Sequence, residues 1–207
     1  MPTPYPAPEI AQLRPGLWIW HAYDPSVKAE LFATAFAAGD GIYLVDPIPL
    51  PGPEYRQLDN ARPIKGVIIT NINHGRAACD LAKRFSVPIF AHPTASAEIK
   101  AGQAGDLSSL GQNPDLEVIE IEGAVAGEIA LYRPVDGGTM IVGDALINFE
   151  PYGFTFLPPK YCLDQKQMRR SLRKLLSFSF KRLLFAHGTP ILSGAGDRLR
   201  ELLESDS

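Results

Sequence analysis

The residues best suited to chemistry lie together in one short polar segment. An apolar stretch at residues 66–70 is followed by the polar residues Asn71, Asn73, His74 and Arg76. Imidazole nitrogen is a good ligand for zinc, manganese or iron, whereas an asparagine oxygen is a poor zinc ligand that suits harder cations. Arginine cannot ligate a metal, because it has only donors and stays charged. The segment therefore offers one good metal ligand, His74, among polar side chains.

Other catalytic patterns are weak. Residues 143–144 and 193–194 match no nucleophile elbow, and no glycine-rich loop that could hold phosphate is found. His92 follows a short apolar run and is interpreted as a capping or buried histidine, while His21 ends the first predicted strand without a local partner. Asp46 is expected to orient the polar segment structurally.

Composition excludes several classes of function. The chain has 207 residues, which fits one domain spanning 1–207, with an apolar fraction of 45% and a charged fraction of 21%. The net charge of −3 is too small to indicate binding to nucleic acid or to a membrane. The longest apolar run, residues 31–38, is too short to span a bilayer.

The first residues are expected to form an extended arm. Prolines alternate through residues 1–8, and no charged and then apolar pattern of a secretion signal is present, so residues 1–10 are interpreted as an arm on the domain. The two cysteines are far apart in the chain and match no metal or redox spacing. A reduced, cytoplasmic protein is therefore expected, and a homo-oligomer is possible.

The elements that must position the polar segment alternate between strands and helices. Strands are predicted at residues 17–21, 30–38, 41–45, 66–70, 89–91, 116–121, 128–133, 139–142 and 182–186. Helices are predicted at residues 54–60, 77–85, 94–100, 164–177 and 197–203, the second of them with the three-and-four apolar spacing of a core-facing helix. Residues 101–116 and the aromatic stretch 149–161 are expected to be loops. The order predicts mixed sheets packed between helices.

Five stretches together resemble the metallo-β-lactamase superfamily along nearly the whole chain. They read PGLWIW from residue 15, GIYLVD from residue 41, GVIIT from residue 66, VGDAL from residue 142 and LFAHGTP from residue 184. The resemblance implies an αβ/βα sandwich of two mixed sheets flanked by helices, with loops at one sheet edge that hold metal. It also implies a metal-dependent hydrolase.

Two ligand positions of that family are retained. Asp144 matches the aspartate that bridges two metal ions, and His187 matches the last histidine. The other five carry residues that are not the family's ligands, namely Asn71, Asn73, Gly75, Arg76 and Ala124. The family's usual two-metal site is therefore not expected.

Two interpretations remain. In the first, His74 joins Asp144 and His187 to hold one zinc, manganese or iron ion, which would activate water for hydrolysis of a small ester, thioester, lactone or phosphodiester. In the second, no metal binds, and the guanidinium of Arg76 neutralises Asp144 through bidentate hydrogen bonds. The protein would then bind a small ligand or a protein partner in a polar pocket that includes Asn71 and Asn73.

Overall fold

A large mixed sheet forms one half of the molecule. The computed structural model describes residues 8–99 and 104–205, and within them the first sheet has the strand order β1 to β7. Its strands are β1 (Ala11–Arg14), β2 (Leu17–Asp24), β3 (Ala29–Ala38), β4 (Gly41–Val45), β5 (Ile64–Ile69), β6 (Ile89–Ala91) and β7 (Ala104–Gly105). Neighbours are antiparallel from β1 to β4 and parallel from β4 to β7.

A smaller sheet faces it. Its order is β13-β10-β9-β8, with β10 parallel to β13 and the other pairs antiparallel. These strands are β8 (Glu117–Glu120), β9 (Ile129–Arg133), β10 (Thr139–Val142) and β13 (Arg182–Phe185). A separate hairpin pairs β11 (Leu146–Phe149) with β12 (Gly153–Phe156).

Helices flank the two sheets. They are α1 (Gly52–Ala61), α2 (Ala78–Phe85), α3 (Pro93–Ile99), α4 (Leu107–Leu110), α5 (Gln165–Leu172) and α6 (Ala195–Glu204). One apolar cluster joins the first sheet to α1 and α2, and another joins the second sheet to α5 and α6. A third lies between the sheets and includes Phe36, Ile68, Ile141 and Leu184. This is the predicted αβ/βα sandwich. No helix in the described parts of the chain is long and apolar enough to cross a membrane.

Several predicted elements differ from those observed. The aromatic stretch 149–161 was expected to be one long loop, yet it contributes to the β11–β12 hairpin, because Gly153 at φ +64° allows a tight reversal between alternating side chains. Within the predicted loop 101–116 the structure has β7 and α4, and β1 was not expected. The predicted helix 164–177 becomes 3₁₀ from Arg173 onward. Residues 1–7 of the predicted arm lie outside the described residues.

The polar site follows from how the two sheets meet. The strands β4 and β5 run parallel in one sheet, and β10 and β13 run parallel in the other. The loops that follow these four strands carry Asp46, Thr70, Asp144 and His187. Hydrogen bonds between the sheets, from the N–H of Phe32 to the carbonyl of Ala186 at 2.9 Å and from Ile129 to Thr70 at 2.8 Å, bring those loops to one edge.

Candidate metal centre

Asp46 and Thr70 hold His74 inside the protein. The Oδ1 of Asp46 accepts from the N–H of Thr70 at 2.8 Å, and its Oδ2 accepts from the Thr70 hydroxyl at 2.5 Å and lies 2.9 Å from His74 Nδ1. Because a carboxylate only accepts, His74 carries its proton on Nδ1 and donates it to Asp46. His74 is 2% exposed. Asp46 therefore orients the polar segment, as expected from the sequence.

The other nitrogen of His74 points at the two retained family positions. His74 Nε2 lies 3.2 Å from Asp144 Oδ1, and His187 Nε2 lies 3.4 Å from the same oxygen. Although Asp144 is this close, Nε2 of His74 is sealed from solvent without a hydrogen bond of acceptable geometry among the described residues. A buried polar atom with no hydrogen bond is costly and needs an explanation.

His187 is held in a matching way. Its Nδ1 lies 3.3 Å from the carbonyl of Glu30, which can only accept, so the proton is on Nδ1 and Nε2 faces Asp144. The side chain is 19% exposed, compared with 2% for His74. The cluster is therefore closed on the His74 side and reached from the His187 side.

The cluster has the dimensions of a metal site. One ligand atom each from His74, Asp144 and His187 lies within 4.8 Å of the others. Around a tetrahedral zinc with bonds of 2.0–2.2 Å, ligand atoms are separated by about 3.3–3.6 Å. The observed 3.2 and 3.4 Å separations are close to that range. Both histidines also donate their Nδ1 protons to oxygen, as histidine metal ligands usually do. These residues therefore fit one metal ion.

Asn71, at one of the family's other ligand positions, is hydrogen-bonded to two buried carboxyl groups. The amide nitrogen of Asn71 donates to Glu128 Oε2 at 2.7 Å and to Asp144 Oδ2 at 3.1 Å, so one neutral donor lies between two carboxyl groups. Glu128, 3% exposed, also accepts from the N–H of Ala145 at 3.0 Å. Ala124 is fully buried. This part of the site, among the residues that the structure describes, holds no set of ligands for a second metal.

Glu128 was missed by the sequence interpretation. It directly follows the turn that ends at Gly127 and begins a predicted strand, where a glutamate usually faces solvent. One signal was available: the segment 128–133 is otherwise apolar, with a charged residue at each end. Gly143 provides the room for it, since a Cβ there would lie 2.8 Å from Glu128 Oε1.

Arg76 does not form the bidentate pair with Asp144 that its position suggested. Its Nη1 donates to the carbonyls of Phe32 at 2.7 Å and Asp46 at 3.0 Å, and its Nη2 reaches the carbonyl of Ala186 at 3.4 Å. These carbonyls belong to three separate segments, so the guanidinium ties their ends together. No Arg76–Asp144 ion pair is found within the described residues. The charge of Arg76 still helps, at longer range, to lower the pKa of Asp144.

Arg76 also lies beside the cluster. Its Nη2 is 3.5 Å from His187 Nε2, too far for a strong hydrogen bond. The backbone is bent here, with φ of +30° at Arg76 and +45° at Asp46, values that residues with side chains rarely adopt. Such strain is concentrated at functional sites in folded proteins.

Electrostatics of the cluster favour a positive charge between the carboxylates. Burial alone disfavours a charged His74, but the carboxylates of Asp144 and Asp46 outweigh burial and raise the pKa of His74 to about 10. Burial raises the pKa of Asp144, but His74 lowers it by more, so this pKa lies below its usual range. Burial and then Asp144 raise the pKa of Glu128 to about 8, and burial lowers that of His187 to about 4.

Asn73 and the other two histidines lie outside the cluster. Asn73 is exposed and contributes its backbone N–H to Asn71 Oδ1 at 2.9 Å. His21, expected to have no local partner, lies 3.1 Å from Glu30 and stacks on Phe32, because β2 and β3 pair residues that are distant in sequence. His92 Nδ1 accepts from the N–H of Thr94 at 3.2 Å, a capping contact.

The structure has two facing mixed sheets, helices outside them and a histidine–carboxylate cluster on the loops at one edge. This arrangement defines the metallo-β-lactamase fold. A sequence model described as metallo-beta-lactamase superfamily matches residues 11–206. The chain belongs to this superfamily.

Solved structures with the same fold are distant in sequence. The chain is similar to the DIM-1 metallo-beta-lactamase exposed to ceftazidime, with 13% identity, a TM-score of 0.73 and coverage of 99% of this chain and 100% of that one. A metallo-beta-lactamase from Erythrobacter litoralis gives 16% identity and a TM-score of 0.71 over 98% and 95% of the two chains. A metallo-beta-lactamase from Hirschia baltica gives 16% identity and a TM-score of 0.68, with coverage of 96% of this chain and 95% of that one. No curated protein shows significant similarity.

Proposed function

We propose that the protein is a hydrolase of the superfamily that uses one metal ion held by His74, Asp144 and His187. The observation that carries the proposal is Nε2 of His74, which is sealed from solvent, lacks a hydrogen bond among the described residues and faces Asp144 at 3.2 Å. A metal ion on Nε2 would remove the cost of this unsatisfied atom.

The surrounding residues support binding of a cation. Asp46 and Glu30 fix the two imidazole rings, so that both Nε2 atoms face Asp144 before any ligand arrives. Preformed ligands lose little conformational entropy when the metal binds. Asn71 holds Asp144 from the opposite side, through Oδ2, and leaves Oδ1 directed at the histidines.

An ion in this set would lower the pKa of a bound water and polarise a carbonyl or phosphoryl group. Its substrate would be a small ester, thioester, lactone or phosphodiester that approaches from the His187 side, where the cluster is partly exposed. Glu128 is sealed behind Asn71 and does not reach that side, so its role is to hold the amide that positions Asp144. Arg76 fixes the strand ends around the site.

Elemental analysis of protein purified without chelator tests the proposal. We expect close to one equivalent of zinc, manganese or iron, and its loss in His74→Ala and in Asp144→Ala. His92→Ala removes a histidine whose partners lie outside the cluster and is the matched control, which should keep the metal. Circular dichroism shows that each variant is folded. Metal content near zero in the folded parent protein, with none taken up on dialysis against these ions, would refute the proposal.

One observation favours a second candidate, a metal-free ligand-binding protein. With a pKa of about 10, His74 can itself carry the positive charge between Asp46 and Asp144, the role that the sequence suggested for Arg76. The two candidates differ in the proton on Nε2. In ¹⁵N spectra at pH 7, a doubly protonated His74 that persists in the presence of excess zinc would support this second function.

A further inference from the structure

A pocket lies at the opposite end of the sandwich from the metal cluster. The strand β9 begins at Ile129, which bonds Thr70 at the cluster edge, and ends at Arg133, which lines the pocket. The pocket has a volume of about 420 Å³. It is formed by the β1–β2 turn, the end of β3, the residue after α1, the approach to β8 and the loop after β9.

Arg133 is the unusual member of its lining. The side chain is 4% exposed and lies over the ring of Phe36 at 5.2 Å. Of the five N–H donors of a guanidinium, one bond is formed, from Nη2 to the carbonyl of Ala37 at 2.9 Å, and Nε has no partner among the described residues. Burial lowers the pKa of Arg133 to about 10, so the group remains charged at pH 7. The guanidinium therefore has donors that are not used by protein groups among the described residues and are free for a ligand in the pocket.

The other charged groups in the lining are also unpaired. Arg62, Asp115 and Asp136 all face this pocket with Arg133, and within the described residues none of the four forms an ion pair. Arg62 donates to the carbonyl of Gly39 at 2.6 Å. Asp115 accepts a weak hydrogen bond from the N–H of Gly39 at 3.5 Å. The half-buried ring of Trp18 supplies an apolar wall.

We infer that this pocket binds a small zwitterion, such as a free amino acid, with its carboxylate toward Arg133 and Arg62 and its ammonium toward Asp115 and Asp136. A planar carboxylate matches the guanidinium fork. A simple anion would be repelled by two aspartates, and a simple cation by two arginines. A ligand that carries both charges satisfies both sets, and a volume of about 420 Å³ is ample for it.

The test is a titration followed by ¹H–¹⁵N NMR, because the protein has two tryptophans, Trp18 and Trp20. L-leucine is added, and 4-methylpentanoate and 3-methylbutylamine serve as matched probes that each lack one charge. We expect L-leucine to shift the indole signal of Trp18 and not that of Trp20, which is 1% exposed and bonded to Ile48. Each single-charge probe should bind at least about tenfold more weakly, as loss of a charge-assisted hydrogen bond predicts.

Substitutions at two exposed residues of the pocket give a second test. Arg62→Gln and Asp136→Asn should each weaken L-leucine binding by about fivefold, the upper range for an exposed ion pair. Asp40→Asn is the matched control: Asp40 adjoins Gly39 but pairs with Lys65 and does not line the pocket, so its affinity should equal that of the parent. Equal binding of 4-methylpentanoate would show a simple anion site and overturn the inference, as would an unmoved Trp18 signal at saturating L-leucine.

Discussion

Asp46→Asn is the sharpest test of how the cluster is built. The substitution preserves shape, and the oxygen of the new amide could still accept from the N–H of Thr70, as Asp46 Oδ1 does at 2.8 Å. It removes the charge at Oδ2, which receives the Thr70 hydroxyl at 2.5 Å and His74 Nδ1 at 2.9 Å. An amide nitrogen at that place would confront the Nδ1 proton of His74, so the imidazole must rotate or change tautomer.

The magnitude follows from the two hydrogen bonds that Oδ2 of Asp46 accepts. Hydrogen bonds to a charged group contribute about 1.5–3 kcal/mol each, and breaking a buried ion pair costs about 3–5 kcal/mol. We therefore expect the free energy of unfolding to fall by about 3–5 kcal/mol. Removing a carboxylate that orients a histidine ligand also weakens metal binding by about 10–100-fold.

Two assays separate these effects. Urea denaturation measures the free energy of unfolding, and competition with a chromophoric chelator measures the dissociation constant for zinc. Asp80→Asn, exposed in the first turn of α2, is the control; it should leave zinc affinity unchanged and lower stability by less than about 1 kcal/mol. A stability loss below about 1 kcal/mol together with unchanged zinc affinity would refute the account of Asp46, since surface substitutions have effects of that size.

Three further predictions concern neighbouring residues. The pKa of His74 rises from 6.5 to about 10 on folding, so its contribution to stability is complete below pH 6.5. Metal-free protein should therefore lose several kcal/mol of stability as pH rises from about 6.5 to 10, measured by urea denaturation across that range. Gly143→Ala should cost about 1–3 kcal/mol by the same assay, because a Cβ there meets Thr70 Oγ1 at 2.5 Å. Arg76→Lys should cost about 2–3 kcal/mol, because an ammonium cannot replace a fork bonded to separate carbonyls.

Each of these has an outcome that would contradict it. A stability profile that is flat from pH 6.5 to 10 would show that His74 is neutral in the folded protein. Gly111→Ala, where φ is −67° and the nearest atom lies at 3.5 Å, is the control for Gly143 and should be nearly neutral. An equal effect at both glycines would remove the packing explanation. For Arg76, unchanged stability in the lysine variant would mean that a positive charge at this position stabilises the fold as well as the guanidinium hydrogen bonds do.

Much of the architecture was available from local patterns. The strands 41–45, 89–91 and 139–142 were predicted with the bounds observed, because short apolar runs between turn residues are local signals. Gly39 at φ +55° forms the predicted hairpin. The hairpin of β11 and β12 and the strands β1 and β7 were missed, since segments of two to four residues are too short to show a periodic pattern and become strands only through pairing with a neighbouring strand.

The sequence by itself determined the superfamily, and it predicted His74, Asp144 and His187 as a group that could hold a metal, which the structure brings together. Only the tertiary structure decided which side chain lies beside Asp144. Arg76 was the natural cation from its position, yet its backbone at φ +30° aims the guanidinium at carbonyls, and His74 takes the place beside Asp144. The hydrogen bonds of Glu128 with Asn71 and of Asp46 with His74 were likewise not predicted from the sequence. Side-chain direction at a strand end depends on loop geometry and on partners up to 157 residues away, which no local pattern records.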